Sequence, residues 1–210
     1  MSLSRDEIAE RVARDIPTGA YVNLGIGQPT RVASYLRPEQ QVVLHTENGM
    51  LGMGPEATGE QVDPDLINAG KVPVTELPGA AYFHHADSFA MMRGGHLDVC
   101  VMGAFQVSAD GDLANWHTGE PEAVPAVGGA MDLAAGAKAV YVIMTLFAKD
   151  GSPKLVPQCS YPLTGLRCVD RVYTEHAAFR ITDRGVVVTE TYGMSMAELR
   201  DRLDVPVLAG

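Results

Sequence analysis

Cysteine is scarce in this 210-residue chain: Cys100, Cys159 and Cys168 are its only three, and no two form a C-x-x-C pair. An odd, scattered set argues against a disulfide framework and reads as reduced thiols. Cys100 falls inside the apolar run Leu97-Asp98-Val99-Cys100-Val101-Met102 and is assigned to the core, with no neighbouring base to recommend it as a catalytic thiol. Long apolar runs are missing too. No stretch approaches bilayer-spanning length, and Met1-Ser2-Leu3-Ser4-Arg5-Asp6 is not a signal peptide, so no membrane is expected and the cytoplasm is the default compartment. Basic residues are outnumbered, 16 Lys and Arg against 26 Asp and Glu, for a net charge of −10. That field repels phosphate backbones and argues against a nucleic-acid partner. It leaves room for one phosphorylated small ligand held by local amides and a few cations. Solenoid repeats and low-complexity tracts are absent as well.

What is present is glycine, twenty-two residues of it, punctuating an alternation of helical and extended patterns. Ser4-x-x-Glu7 is a capping box that opens an amphipathic helix running to about residue 15. Residues 21–24 read as a short buried strand, after which Gly25-Ile26-Gly27 turns the chain into a helix with Pro29 in its first turn. Residues 41–46 form the next strand. From residue 49 to about 79 the glycine and proline content predicts a long functional loop with short strands. Helices are then expected at residues 87–93, 128–137 and 195–203, the last capped by Ser195. Strands are expected at residues 97–103, 139–146, 169–173 and 186–192. The pattern predicts one α/β domain spanning residues 1–210, with an open, largely parallel sheet flanked by helices.

The segment Glu47-Asn48-Gly49-Met50-Leu51-Gly52-Met53-Gly54-Pro55 carries most of the chemistry. A carboxylate directly after a buried strand lies at the sheet's carboxyl edge, where ligands of open α/β folds bind. The same glutamate could instead cap the turn that follows. Asn23-Leu24-Gly25-Ile26-Gly27 is a second strand-to-helix glycine turn, but it lacks the third glycine of a dinucleotide fingerprint. Gly128-Gly129 opens a helix whose amides could stabilise an oxyanion or could simply allow close packing. Lys71 is a lone cation in the 49–79 segment, either solvated or placed to steer an anion. His84-His85, with Asp87 and His96, has no metal-ligand spacing; no metal is expected, and the pair is read as part of a solvent- or partner-facing loop.

Taken together, these motifs resemble the small subunit of bacterial 3-oxoacid coenzyme A transferases and the carboxyl-terminal half of the fused succinyl-CoA:3-ketoacid enzymes. The matching segments include Tyr21-Val22-Asn23-Leu24-Gly25-Ile26-Gly27, the Glu47 segment, and Asp63-Pro64-Asp65-Leu66-Ile67-Asn68-Ala69-Gly70-Lys71. Further along they include Ala86-Asp87-Ser88-Phe89-Ala90-Met91, Gly128-Gly129-Ala130-Met131-Asp132-Leu133 and Pro162-Leu163-Thr164-Gly165, all in family order. The resemblance implies a nucleophilic Glu47 that forms an acyl anhydride and then a glutamyl-CoA thioester. It assigns Gly128 and Gly129 to the oxyanion and Asn23, Gly25, Gly27 and Lys71 to coenzyme A. It also implies no resident cofactor, since coenzyme A is a substrate, and a homologous large subunit as partner. The substrates implied are an acyl-CoA, such as succinyl-CoA, and a carboxylic acid of the 3-oxo class. Phe83-His84-His85-Ala86, Trp116-His117-Thr118-Gly119 and Thr145-Leu146-Phe147-Ala148 depart from the family pattern and leave the acceptor open. An acyl-CoA hydrolase on the same fold and a non-catalytic partner subunit are the competing readings. Met50, Leu51 and Met53 are expected to be exposed apolar residues awaiting the partner.

Overall fold

The computed structural model describes residues 1–120, 122, 124–125 and 128–210. Ser4 caps α1 (Arg5–Asp15) as its spacing predicts: its hydroxyl accepts from the Glu7 amide while the Glu7 carboxylate accepts from the Ser4 amide at 2.8 Å. Such a cap contributes about 1 kcal/mol. The helix buries Ile8, Ala9, Val12 and Ala13, the i, i+1, i+4, i+5 stripe of its sequence.

The core is a ten-stranded sheet. Its strands are β1 (Tyr21–Leu24), β2 (Val43–Thr46), β3 (Met50–Glu56), β4 (Val74–Tyr82), β5 (Val99–Gly103), β8 (Ala139–Ile143), β10 (Val169–Tyr173), β11 (Ala177–Thr182), β12 (Gly185–Thr191) and β13 (Val207–Ala209). The remaining strands, β6 (Gln106–Ser108), β7 (Leu113–Ala114) and β9 (Leu155–Val156), form a separate three-stranded sheet. In the order β13-β12-β11-β10-β8-β5-β1-β2-β3-β4, the central run from β10 to β2 is parallel. Antiparallel pairs flank it on both sides: β10–β11 and β11–β12 at one, β2–β3 and β3–β4 at the other.

The central strands are buried on both faces, and their alternation splits the core in two. Val99, Val101, Tyr141 and Ile143 face α1, whereas Cys100, Met102, Val140 and Val142 face the other layer. That second layer holds α2 (His85–Arg93), α3 (Ala130–Gly136) and α4 (Met196–Arg202). No helix among the described residues is long and apolar enough to cross a membrane.

Four expectations change. The segment after Gly27 is a 3₁₀ helix over Gln28–Tyr35, not an α-helix, with Pro29 in its first turn. The helix expected from residue 128 begins at Ala130, with Gly129 as its cap. The 49–79 stretch is largely an antiparallel hairpin of β3 and β4 rather than a loop. Its apolar residues are correspondingly not exposed: Met50 and Met53 retain only 3% and 8% of their surface, and Leu51 is half-buried. Met50 and Met53 point into the core that packs on α1, so they do not wait for a partner.

Candidate active site

The chain runs from β1 to β2 on one side, then returns through β3 and β4 to β5 on the other side of β1. Such a reversal opens a crevice beyond the carboxyl ends of the strands. Glu47 follows the last residue of β2, Gly25 follows the last residue of β1, and Gly103 ends β5. All three lie at the same edge because β2, β1 and β5 are parallel.

Gly49 makes the turn after Glu47. Its φ is +118°, and a Cβ there would meet the Phe83 carbonyl oxygen at 2.2 Å, so only glycine fits. The Gly49 amide donates to Thr46 O at 3.1 Å, and Phe83 N donates to Gly49 O at 3.0 Å. Asn48 ties the turn to the neighbouring loop by donating to Ile67 O at 2.8 Å.

Two cavities meet at this edge. One, of ≈ 580 Å³, is bordered by Gly27, Arg5, Arg31, Asn68 and Gly70. The other, of ≈ 690 Å³, is bordered by Gly25, Met102, Gly128, Gly129 and Lys154. Among the described residues, Glu47 and Gln28 alone border both. Glu47 therefore stands in the partition between the two spaces.

Burial raises the Glu47 pKa above the ordinary glutamate value, opposed by its own backbone amide and by the Asn23 side chain. Asn23 is fully buried on β1 and borders neither cavity. Its Nδ2 lies 3.2 Å from His45 Nδ1 and 3.3 Å from His45 O. His45 Nε2 in turn lies 3.0 Å from the buried Ser88 hydroxyl, which donates to Thr46 O at 3.2 Å. Burial drives the His45 pKa down to about 4, so the ring is neutral at pH 7. Its Nδ1 then accepts from Asn23 and its Nε2–H donates to Ser88. A neutral polar chain thus braces the strand end that carries Glu47.

Gly129 packs directly on the glutamate, and it caps α3, whose first amides have no intrahelical acceptor. Gly25 is pressed against β5: a Cβ would lie 3.1 Å from Val101 O. Gly27 has φ +90° and faces the first cavity. The sequence-predicted residues Glu47, Gly25, Gly27, Gly128 and Gly129 therefore converge. Lys71 does not join them: it is exposed, with φ +63°, at the tip of a turn whose neighbours Gly70 and Val72 border the first cavity. The two histidines stand apart as well. Both are exposed, and His84 caps α2 by accepting from Ala86 N at 3.0 Å. No group of three or more His, Cys, Asp or Glu among the described residues is arranged to hold a metal.

His45, Ser88 and Lys154 were not singled out from the sequence. His45 had a signal: it stands two residues before Glu47, on the same strand face by the period-2 rule. Lys154 had none, since its position depends on the small sheet.

The chain's similarities agree with this geometry. It is 58% identical to one subunit of the 3-oxoadipate CoA-transferase of Pseudomonas putida, over 98% of this chain and 97% of that one. It is 57% identical to the protein of the same name from Acinetobacter baylyi, over 94% and 92%. The solved apoenzyme of an acyl-CoA transferase from Escherichia coli shares the fold at a TM-score of 0.75 and 20% identity; this chain is covered completely and spans 43% of that one. The family model described as coenzyme A transferase matches residues 5–195. The chain belongs to the coenzyme A transferase family.

Proposed function

We propose that this chain is the nucleophile-bearing small subunit of a two-component coenzyme A transferase. It would exchange CoA between an acyl-CoA, succinyl-CoA in this reading, and a 3-oxo acid. The observation that carries the proposal is the position of Glu47: a half-buried carboxylate in the wall between two cavities, packed on the glycine pair that opens α3. The names of the relatives, each one subunit of a 3-oxoadipate CoA-transferase, support both the reaction and a second, homologous subunit.

In this mechanism a Glu47 oxygen attacks the thioester carbonyl, expelling CoA thiolate and leaving an acyl–glutamyl anhydride. The thiolate then attacks the Glu47 carbonyl, releasing the donor acid and leaving a glutamyl-CoA thioester. The acceptor carboxylate attacks that thioester and expels the thiolate, which takes the acceptor acyl group and restores free Glu47. No net proton moves, so no general base is required. Carboxylates are weak nucleophiles, so rate must come from positioning and charge stabilisation. Asn23 and its His45–Ser88 support fix the carboxylate, while the Gly128 and Gly129 amides receive the developing oxyanion. Gly25 and Gly27 give close backbone approach to the CoA arm, and Lys71, Arg5 and Arg31 supply positive charge on its side.

The experiment combines the chain with its cognate large subunit, adds donor acyl-CoA without acceptor, and treats with borohydride. Peptide mass spectrometry should place the reduced thioester on Glu47, with ping-pong kinetics in the complete assay. A sequential rate law with unmodified Glu47 would overturn the reading, as would full exchange by this chain without its partner.

A further inference from the structure

The second cavity contains one cation that the transfer steps do not use. Its walls are mostly apolar, among them Met102, Leu133, Ile143 and Met144, and among the described residues its only ionisable side chains are Glu47 and Lys154. Lys154 is half-buried, and its backbone is pinned: its amide donates to Leu146 O at 2.9 Å, and its carbonyl accepts from Val107 N at 3.0 Å. Its ammonium makes one long contact, 3.5 Å to Thr145 Oγ1. No carboxylate among the described residues forms an ion pair with it. Glu175, whose field acts on it, already accepts from Leu146 N at 3.0 Å and lies 3.5 Å from His176 Nε2. Burial lowers the Lys154 pKa, so the isolated chain pays for keeping this ammonium charged.

A half-buried ammonium with unused donors, in the apolar space that Glu47 faces, is a binding site for an anion. The anion must reach it from the glutamate. An acyl group bonded to Glu47 extends its chain along the apolar wall, and a carboxylate at the far end of that chain would meet Lys154. We infer that Lys154 anchors the distal carboxylate of a dicarboxylic acyl group, making this a transferase for acids with a second carboxylate. The inference rests on the transferase reading of Glu47. The phosphates of coenzyme A are a different source of negative charge, and they belong with the arginine-bordered first cavity.

The test uses the two-subunit enzyme with Lys154→Met, which keeps the apolar stem, and Lys154→Arg, which keeps the charge. The readout is the ratio of kcat/KM for 3-oxoadipate, with two carboxylates, to that for acetoacetate, with one. Lys154→Met should lower that ratio at least tenfold, mainly through KM for the dicarboxylic acid, and Lys154→Arg should restore most of it. An equal fall for both acids, an unchanged ratio, or a loss confined to CoA affinity would overturn the inference. Calorimetric binding of succinate against butyrate separates this subsite from the transfer reaction. Succinate should bind the wild type at least tenfold tighter than butyrate, and Lys154→Met should abolish the difference even if no exchange is catalysed. Equal binding of the two acids to the wild type would sink the subsite whatever Glu47 does.

Discussion

A Cβ on Gly129 would sit 3.3 Å from Glu47 Cγ and 3.5 Å from Phe89 Cζ. The glutamate is held from one side by a residue with no side chain. Gly129 has φ −70° and ψ 0°, which alanine adopts without strain, so Gly129→Ala changes the space beside Glu47 and little else. Displacing the carboxylate by a fraction of an ångström to an ångström should lower kcat by about 10- to 100-fold. Circular dichroism should stay native. A kcat close to wild type would mean that Glu47 tolerates the shift.

Glu47→Gln should abolish transfer and stabilise the fold. The buried carboxyl has a raised pKa, so the folded chain favours its protonated form, and that stability is lost as pH rises through the folded pKa. A neutral glutamine escapes the penalty. Melting curves from pH 4 to 8 should show the variant above wild type at pH 7, by about 2–4 °C for each kcal/mol regained. The gap should close toward pH 4. A gap independent of pH would assign the effect to something other than ionisation.

His45 has the opposite slope. Its pKa falls from 6.5 to about 4, so between those values the unfolded chain takes up a proton that the folded chain refuses. Stability is therefore lost as pH drops through that window, by at most about 3 kcal/mol. His45→Gln keeps a polar group beside Asn23 and Ser88 but cannot titrate, and urea titrations should find its stability flatter from pH 6.5 to 4. If wild type and variant lose stability in parallel, His45 is not the group responsible.

Gly136 serves the fold rather than the site. A Cβ there would fall 1.9 Å from the Met92 carbonyl oxygen, where α3 crosses α2. Gly136→Ala should destabilise the chain by about 1–3 kcal/mol or more, seen as a lower urea midpoint, because two helix backbones must separate. Gly129→Ala should leave that midpoint nearly unchanged. Reversed effects would exchange the two roles.

Much of this architecture was legible in the sequence, for identifiable reasons. The capping boxes at Ser4 and Ser195 and the short apolar runs of β1 and β10 are local signals, and those elements fall where expected. The 49–79 stretch misled because its glycines looked like turn residues. Gly52 and Gly54 instead let two irregular strands close together: Cβ atoms there would meet Ala80 Cα at 3.0 Å and Thr75 Oγ1 at 2.5 Å. Cross-strand crowding of that kind leaves no periodic trace. Within the site, Glu47 was readable because it follows its strand directly, whereas Lys154 enters through the long-range pairing of β6 with β9.

The partition formed by Glu47 and Gln28 also bears on timing. With the carrier moored on one side of a wall and its cargo on the other, the two never queue for the same doorway. A spent acid can depart and a fresh one arrive while the carrier stays tied to Glu47 by its thioester. The interval between visitors then becomes the period of greatest exposure to stray water. An acid that arrives slowly is lost not as a slower reaction but as wasted bond energy, so the lifetime of that waiting state, more than the speed of any single attack, sets how faithfully the energy of one thioester reaches the next.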